Sequence, residues 1–244
     1  MSPKSHTLFH FTDKIETLKL ILTNGFWPRF CLEDVSWLKY PDFDFIAYPM
    51  VCFCDIPLSR VNEHVSFYGE YGLGLTKDWA VRNGITPVQY ISNKSKIPKA
   101  YRDLSDIVSS HPTAQDHGFK VIRQMLAHAK PISGQMNINE QMVERDFVQE
   151  SEWRLIADNE NYPDYLNKTD FENADKLNQL NELTKAHSMC KIVPNDIKYI
   201  FVKRDTDIPT VVNFIQEHLG GYSGDAIKLL VSRVISLETI QRDI

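Results

Sequence analysis

Apolar and polar positions alternate loosely over Thr7–Thr12 (TLFHFT), a stretch rich in strand formers, which predicts a short first strand. Asp13 stands where a helix cap belongs, with Glu16 three residues on, as in a capping box. Ile15, Leu18, Leu20, Ile21 and Leu22 follow at near-helical spacing, and Asn24-Gly25 supplies residues that tolerate a left-handed end. This pattern predicts a helix of about 11 residues and then a turn into 26–30. The run PMVCFCD at 49–55 is apolar until Asp55 and Pro57 stop it, and reads as a buried strand. Leu58, Val61, Val65 and Tyr68 form one stripe and predict a helix over 58–68. A turn at 69–72 leads to strands at 73–76 and 88–92, with Trp79 in the segment 77–84 between them.

The middle of the chain, 93–146, reads as mostly helical, with helices near 101–110 and 118–130 and a loop at 134–139. Strand character returns at 147–157 (FVQESEWRLIA). Residues 158–188 are polar and rich in Asn and acids, which predicts a variable excursion or mobile lid. The end reads as a strand at Ile197–Val202, an amphipathic helix at 208–219 stopped by Gly220-Gly221, and a strand at 226–236. The expected fold is α+β: a single domain over 1–244, with an antiparallel-rich central sheet and helices inserted between strands.

Composition changes this picture little. The chain has 244 residues, 43% hydrophobic and 24% charged, the balance of an ordinary globular protein with a sizeable core. Lys+Arg 27 against Asp+Glu 32 gives a net charge of -5, which argues against an obligate nucleic-acid coat protein. The opening MSPKSHTLFHF has no apolar core of a secretory signal, and no run approaches a membrane span. Cys31, Cys52, Cys54 and Cys190 are therefore expected as reduced thiols of a cytoplasmic protein.

Candidate chemistry gathers in four apolar settings. His10 lies in LFHFT; taken alone it reads as a satisfied core or edge-strand histidine. Asp55 before Ile-Pro reads first as a helix cap. His64 and Tyr68, four apart, share a helical face, a spacing that plain packing also gives. Glu150, Glu152 and Arg154 alternate along the predicted strand, so all three face one way, with Trp153 and Leu155 opposite; a solvated salt-bridge face is the alternative. No metal site is expected, because Cys52 and Cys54 lack a second ligand cluster at zinc spacing. Dinucleotide-fold, P-loop, hydrolase-elbow and HExxH motifs are absent. Lys94, Lys96, Lys99 and Arg102 form a basic stretch suited to a phosphate backbone or an acidic partner, or to a solvated loop.

The stretches LFHFTDKIETLKLILTNGFWPRFCLED, PMVCFCDIPLSRVNEHVSFYGEYGLGLTKDWAVRNGITPVQYI, ERDFVQESEWRLI and PNDIKYIFV resemble the AbiGi-type abortive-infection proteins. The resemblance spans most of the chain, is strongest over 8–91 and 144–156, and is weak over 158–188; CFCDIPLS and YGEYGLGLTK are its most specific strings. It implies a bacterial phage-defence protein, described as the antitoxin half of a two-gene system, and hence a partner toxin.

The order of motifs is also similar to ADP-ribosyltransferase-like folds of the His-Tyr-Glu kind. That likeness implies NAD as substrate, with transfer or hydrolysis of its ADP-ribose. It implies His10 on the adenosine-side ribose, Tyr68 or Tyr71 stacked on nicotinamide, and Glu152 or Glu150 as the catalytic carboxylate. Thr12, His64 and Arg154 fall on the NAD-binding side of the same assignment. A fixed carboxylate would stabilise the oxocarbenium-like charge that develops when the nicotinamide bond breaks, and no metal is needed. The alternative is a non-catalytic antitoxin or interaction module that neutralises a toxin through a protein interface, with 158–188 ordering on binding.

Overall fold

The computed structural model describes residues 5–41, 43–138 and 141–243. The chain divides into two compact units, each assembled from separated stretches. The first comprises Met1–Phe26, Cys52–Ile85 and Cys190–Ile244, and the second Trp27–Val51 and Thr86–Met189. Both mix helices with strands, and strand pairing is mostly antiparallel, as the sequence pattern predicts.

In the first unit the strand Thr7–Thr12 forms with the expected bounds. It pairs antiparallel with Tyr71–Thr76 along its whole length, and on its other side Phe9 is registered with Cys54. Tyr71–Thr76 pairs antiparallel with Ile197–Val202, with a bulge between Ile197 and Tyr199, and Ile197–Val202 runs parallel to Val234–Ser236. Alternation turns Phe9, Phe11 and Phe201 to one face, where they pack with Val61, Val65 and Leu237. Val61 and Val65 come from the helix Val61–Tyr68, which a 3-10 turn at Leu58–Arg60 introduces.

Several local expectations for this unit are corrected. The helix Ile15–Asn24 is preceded by Lys14 as its cap residue, without a side-chain cap bond, so Asp13 does not cap it. The turn at 69–72 is shorter than expected, because Tyr71 already belongs to the strand. Segment 77–84 contains the helix Lys77–Arg82, where the Thr76 hydroxyl accepts a bond from Trp79 N. The expected strand at 226–236 is a helix, Gly224–Val231, followed by the short strand Val234–Ser236. Ser223 Oγ accepts from Ala226 N at 3.3 Å and starts that helix; the apolar run that follows fits either periodicity.

In the second unit the long strand Phe45–Cys54, continuing into the first unit at Cys52, is the main scaffold. It pairs antiparallel with Arg29–Asp34, a strand the sequence pattern did not predict, and with Leu166–Asn167. Glu152–Ile156 lies beside it and pairs antiparallel with Thr86–Pro87. Gln89–Ile91 runs parallel to Ala129–Pro131. The expected loop at 134–139 is instead mostly strand: Ser133–Ile138 pairs antiparallel with Gln141–Asp146, while Asn139 lies outside the described residues. A two-stranded ribbon can form from polar residues without the apolar alternation that marks a buried strand. The helices Ile97–Ser109 and Gln115–Ala127, both foreseen, bury Tyr101, Ile122 and Leu126 against Trp37, Ile46 and Tyr48.

Residues 158–188 hold two helices, Lys168–Glu172 and Ala174–His187. Leu177, Leu180 and Leu183 pack against Phe30, Ala47 and Leu166, a helical stripe thinned by the surrounding Asn and acidic residues. The longer helix is tied down by polar bonds. Thr184 Oγ1 donates towards Pro28 O at 2.5 Å and Asn181 O at 2.9 Å, and Trp27 Nε1 donates to Thr184 Oγ1 at 3.0 Å. Asn181 Oδ1 accepts from Phe30 N at 2.9 Å. Thr184→Val keeps the shape and strands buried donors and acceptors, so it should lower unfolding stability by about 2 kcal/mol, read as a shift in the urea midpoint.

Candidate functional site

Glu152 and Arg154 stand two residues apart on the strand Glu152–Ile156, so both project from the same face. That face is buried: Arg154 is 0% exposed, and Glu152 and Glu150 are also inside. The reading of a solvated salt-bridge face is therefore overturned. Glu150 is not on the strand; it ends a 3-10 turn, Phe147–Glu150, and Ser151 with φ of 45° in the left-handed region separates it from Glu152. The three residues meet because Lys130 reaches back to both carboxylates, with Nζ 3.0 Å from Glu150 Oε2 and 2.7 Å from Glu152 Oε2.

Both Glu152 oxygens are engaged. Oε1 accepts from Arg154 Nε at 2.6 Å, and Oε2 accepts from Lys130. Arg154 also donates to Glu33 Oε2 at 2.7 Å and to the Ala127 carbonyl at 2.8 Å. Tyr90 Oη accepts from Glu152 N at 2.7 Å. Arg145 Nη2 lies 3.9 Å from Glu150 Oε1. Among the described residues, the carboxylates of Glu33, Glu150 and Glu152 thus face the cations of Lys130, Arg145 and Arg154, the pairing that makes buried charge tolerable.

Protonation follows from this geometry. Burial alone would raise the Glu152 pKa, but the charges and donated bonds of Arg154 and Lys130 more than offset it and hold the carboxyl at about 2. Burial would lower the Lys130 pKa; Glu152, Glu33 and Glu150 turn the net shift upward. Burial first, then Glu33, pushes the Cys31 thiol up to about 11, so it is not a thiolate nucleophile near neutral pH.

The other candidates belong to the first unit. His10 Nδ1 lies 2.8 Å from the Cys52 carbonyl, and its ring packs against Phe26 and Phe53 at centroid distances of 5.1 and 5.6 Å. Burial is the main cause that lowers its pKa, with the Cys52 bond acting the other way. The neutral imidazole donates to that carbonyl. His64 stacks on Tyr68 with centroids 4.4 Å apart, as their spacing on one helix allows. Tyr71 is registered with Thr12, and its hydroxyl lies 3.2 Å from Asp207 Oδ2. Thr12 Oγ1 is 3.5 Å from Asp13 Oδ1. Asp55 Oδ2 pairs with Lys77 Nζ at 2.7 Å rather than capping a helix.

The basic stretch is partly spent within its own unit. Lys99 bonds Asp103 at 2.6 Å, and Arg102 donates to the Leu38 carbonyl; Lys94 and Lys96 are exposed. Among the described residues no cluster of three His, Cys, Asp or Glu is placed to hold a metal, and no helix is long and apolar enough to cross a membrane.

Sequence reasoning placed Glu152 and Arg154 together but missed Glu33, Tyr90 and Lys130. Two-residue alternation along Arg29–Asp34 would have put Cys31 and Glu33 on one face, had that strand been foreseen.

A family model described as "Putative abortive phage resistance protein AbiGi, antitoxin" matches residues 24–203. The chain belongs to the AbiGi family. A curated AbiGi relative, "Abortive phage resistance protein AbiGi" of Lactococcus lactis subsp. cremoris, is 26% identical over 252 residues, covering 90% of this chain and 99% of the relative. The matched span includes Glu33, Lys130, Glu150, Glu152 and Arg154, although His10 and Thr12 precede it. No solved structure matches this AbiGi protein. Its fold is therefore described as mixed α/β with a mostly antiparallel sheet, without assignment to an ADP-ribosyltransferase-like class.

Proposed function

We propose that this AbiGi protein is the antitoxin of a phage-defence pair and acts by binding its partner toxin, without turning over NAD. The observation that carries this reading is the state of Glu152. A carboxylate that stabilises an oxocarbenium needs its negative charge turned towards the ribose. Here Arg154 and Lys130 occupy its two oxygens at 2.6 and 2.7 Å, and the charge is neutralised within the protein. The family description, antitoxin, favours the same reading.

The test pairs a growth assay with a chemical one. Expression of the partner toxin, the product expected from the companion gene, should arrest growth, and co-expression of this chain should restore it with recovery of a complex of the two. The purified chain should release no nicotinamide from labelled NAD and transfer no label. Arrest that persists beside folded, soluble chain, with no complex formed, overturns the proposal. Label transfer or nicotinamide release lost in Glu152→Gln favours the NAD-using alternative.

A further inference from the structure

The helix Ile97–Ser109 buries one face and leaves a second apolar stripe uncovered. Pro98 and Tyr101 turn inward, and Tyr101 packs with Trp37, Ile122 and Leu126. Ile97, Leu104 and Ile107 do not: they are 46%, 36% and 57% exposed. With the exposed Ala100 they follow one another at intervals of three, four and three residues. That spacing aligns them in the narrow seam by which one helix packs against another. Apolar residues scattered singly over a surface are ordinary, whereas a row in register along one helix marks a contact face.

The charges at one end of this seam bear on what covers it. Lys94 and Lys96 stand exposed just before the helix, and neither forms an ion pair among the described residues. Lys99, in the first turn, is paired with Asp103. That first turn holds no acidic residue. The amino-terminal end of a helix carries partial positive charge, which favours acids and disfavours cations. Three lysines gathered there oppose the local preference, in a chain whose net charge is -5. Carboxylates of a partner placed beside Lys94 and Lys96 would satisfy both the lysines and the helix end. A phosphate backbone has no counterpart for an apolar seam, so the stripe and the lysines together point to a protein.

We propose that the exposed face of Ile97–Ser109 is the surface through which this AbiGi protein holds its partner toxin. Its occupant is an amphipathic helix of the toxin. The apolar stripe of that helix lies on Ile97, Ala100, Leu104 and Ile107, and its acidic residues meet Lys94 and Lys96. The assignment rests on the antitoxin reading and adds to it the place of contact and the chemistry of the partner.

The purified companion-gene product, titrated against this chain and its variants on a sensor surface, provides the test. Leu104→Gln combined with Ile107→Gln, both at exposed positions, should keep the wild-type urea midpoint and bind the toxin about tenfold or more weakly. Lys94→Glu combined with Lys96→Glu should slow association about threefold or more and flatten its dependence on salt. Leu229→Gln, at an exposed leucine of the first unit, should bind as the wild type does. Absence of a wild-type complex overturns the antitoxin reading and this assignment with it. A complex of wild-type affinity in the Leu104→Gln, Ile107→Gln variant overturns the assignment alone. Unchanged association in the lysine variant does the same, and serves if the apolar variant loses its fold. A dimer of the isolated chain that the apolar substitutions dissolve would also overturn it, by making the stripe a contact between copies.

Discussion

Glu152→Gln should lower unfolding stability by about 3–5 kcal/mol, the cost of removing one charge from a buried network and leaving its partners in place. Lys130 and Arg154 both bond to this carboxylate, at 2.7 and 2.6 Å, and a neutral amide cannot balance two cations. The acid limb of the stability profile should change with it. Folding lowers the Glu152 pKa from its ordinary 4.5 to about 2, so its contribution is complete above the unfolded-state value and is lost as pH falls from about 4.5 towards 2. Urea denaturation at neutral pH and at pH 3 should show the wild type losing stability on acidification and the variant losing much less. Parallel pH profiles for the two proteins would mean that the network does not hold this carboxyl ionised.

A comparable loss is expected from Gly25→Ala, by a different route. Gly25 ends the helix Ile15–Asn24 at φ of +88°, where a Cβ is strained. A methyl there would overlap the Cys190 carbonyl oxygen and lie 2.9 Å from its carbon. That carbonyl cannot withdraw cheaply, because Phe26 and Cys190 exchange two hydrogen bonds of 2.8 Å. Strain plus backbone displacement should cost about 3 kcal/mol or more. Gly84→Ala is the control: φ is +69°, yet no atom lies within 4 Å of the added methyl, so only strain of about 1 kcal/mol remains. Equal urea midpoints for the two variants would refute the steric part of the argument.

These two sites show what one dimension reveals. Asn24-Gly25 is legible as a helix end because a positive φ leaves a local signature, while the pressure of Cys190 on the same residue has none. Thr7–Thr12 was readable from alternation. The run from Ala226 was not, because Ile227, Leu229, Leu230 and Val231 suit a buried strand as well as a helix, and the deciding cue was a single serine at 223. Residues 158–188 misled by composition: three leucines at helical spacing suffice for docking when Thr184 and Asn181 supply polar anchors.

The site was legible to the same depth. Glu152 and Arg154 follow from two-residue periodicity, whereas Glu150 reaches the network through a left-handed Ser151 that no pattern announces. Glu33 lies 121 residues from Arg154 in sequence, and nothing local links them.

The interleaving of the two units has a consequence for biogenesis. The second unit is fully encoded by residue 189, whereas the first needs residues 190–244 to acquire Ile197–Val202, the strand beside Tyr71–Thr76. On the ribosome, therefore, the half begun earliest is finished last, and until the carboxyl-terminal quarter emerges Tyr71–Thr76 waits with an unmatched edge. A nascent chain stalled before that point would offer quality-control proteases an opening that the released product has closed.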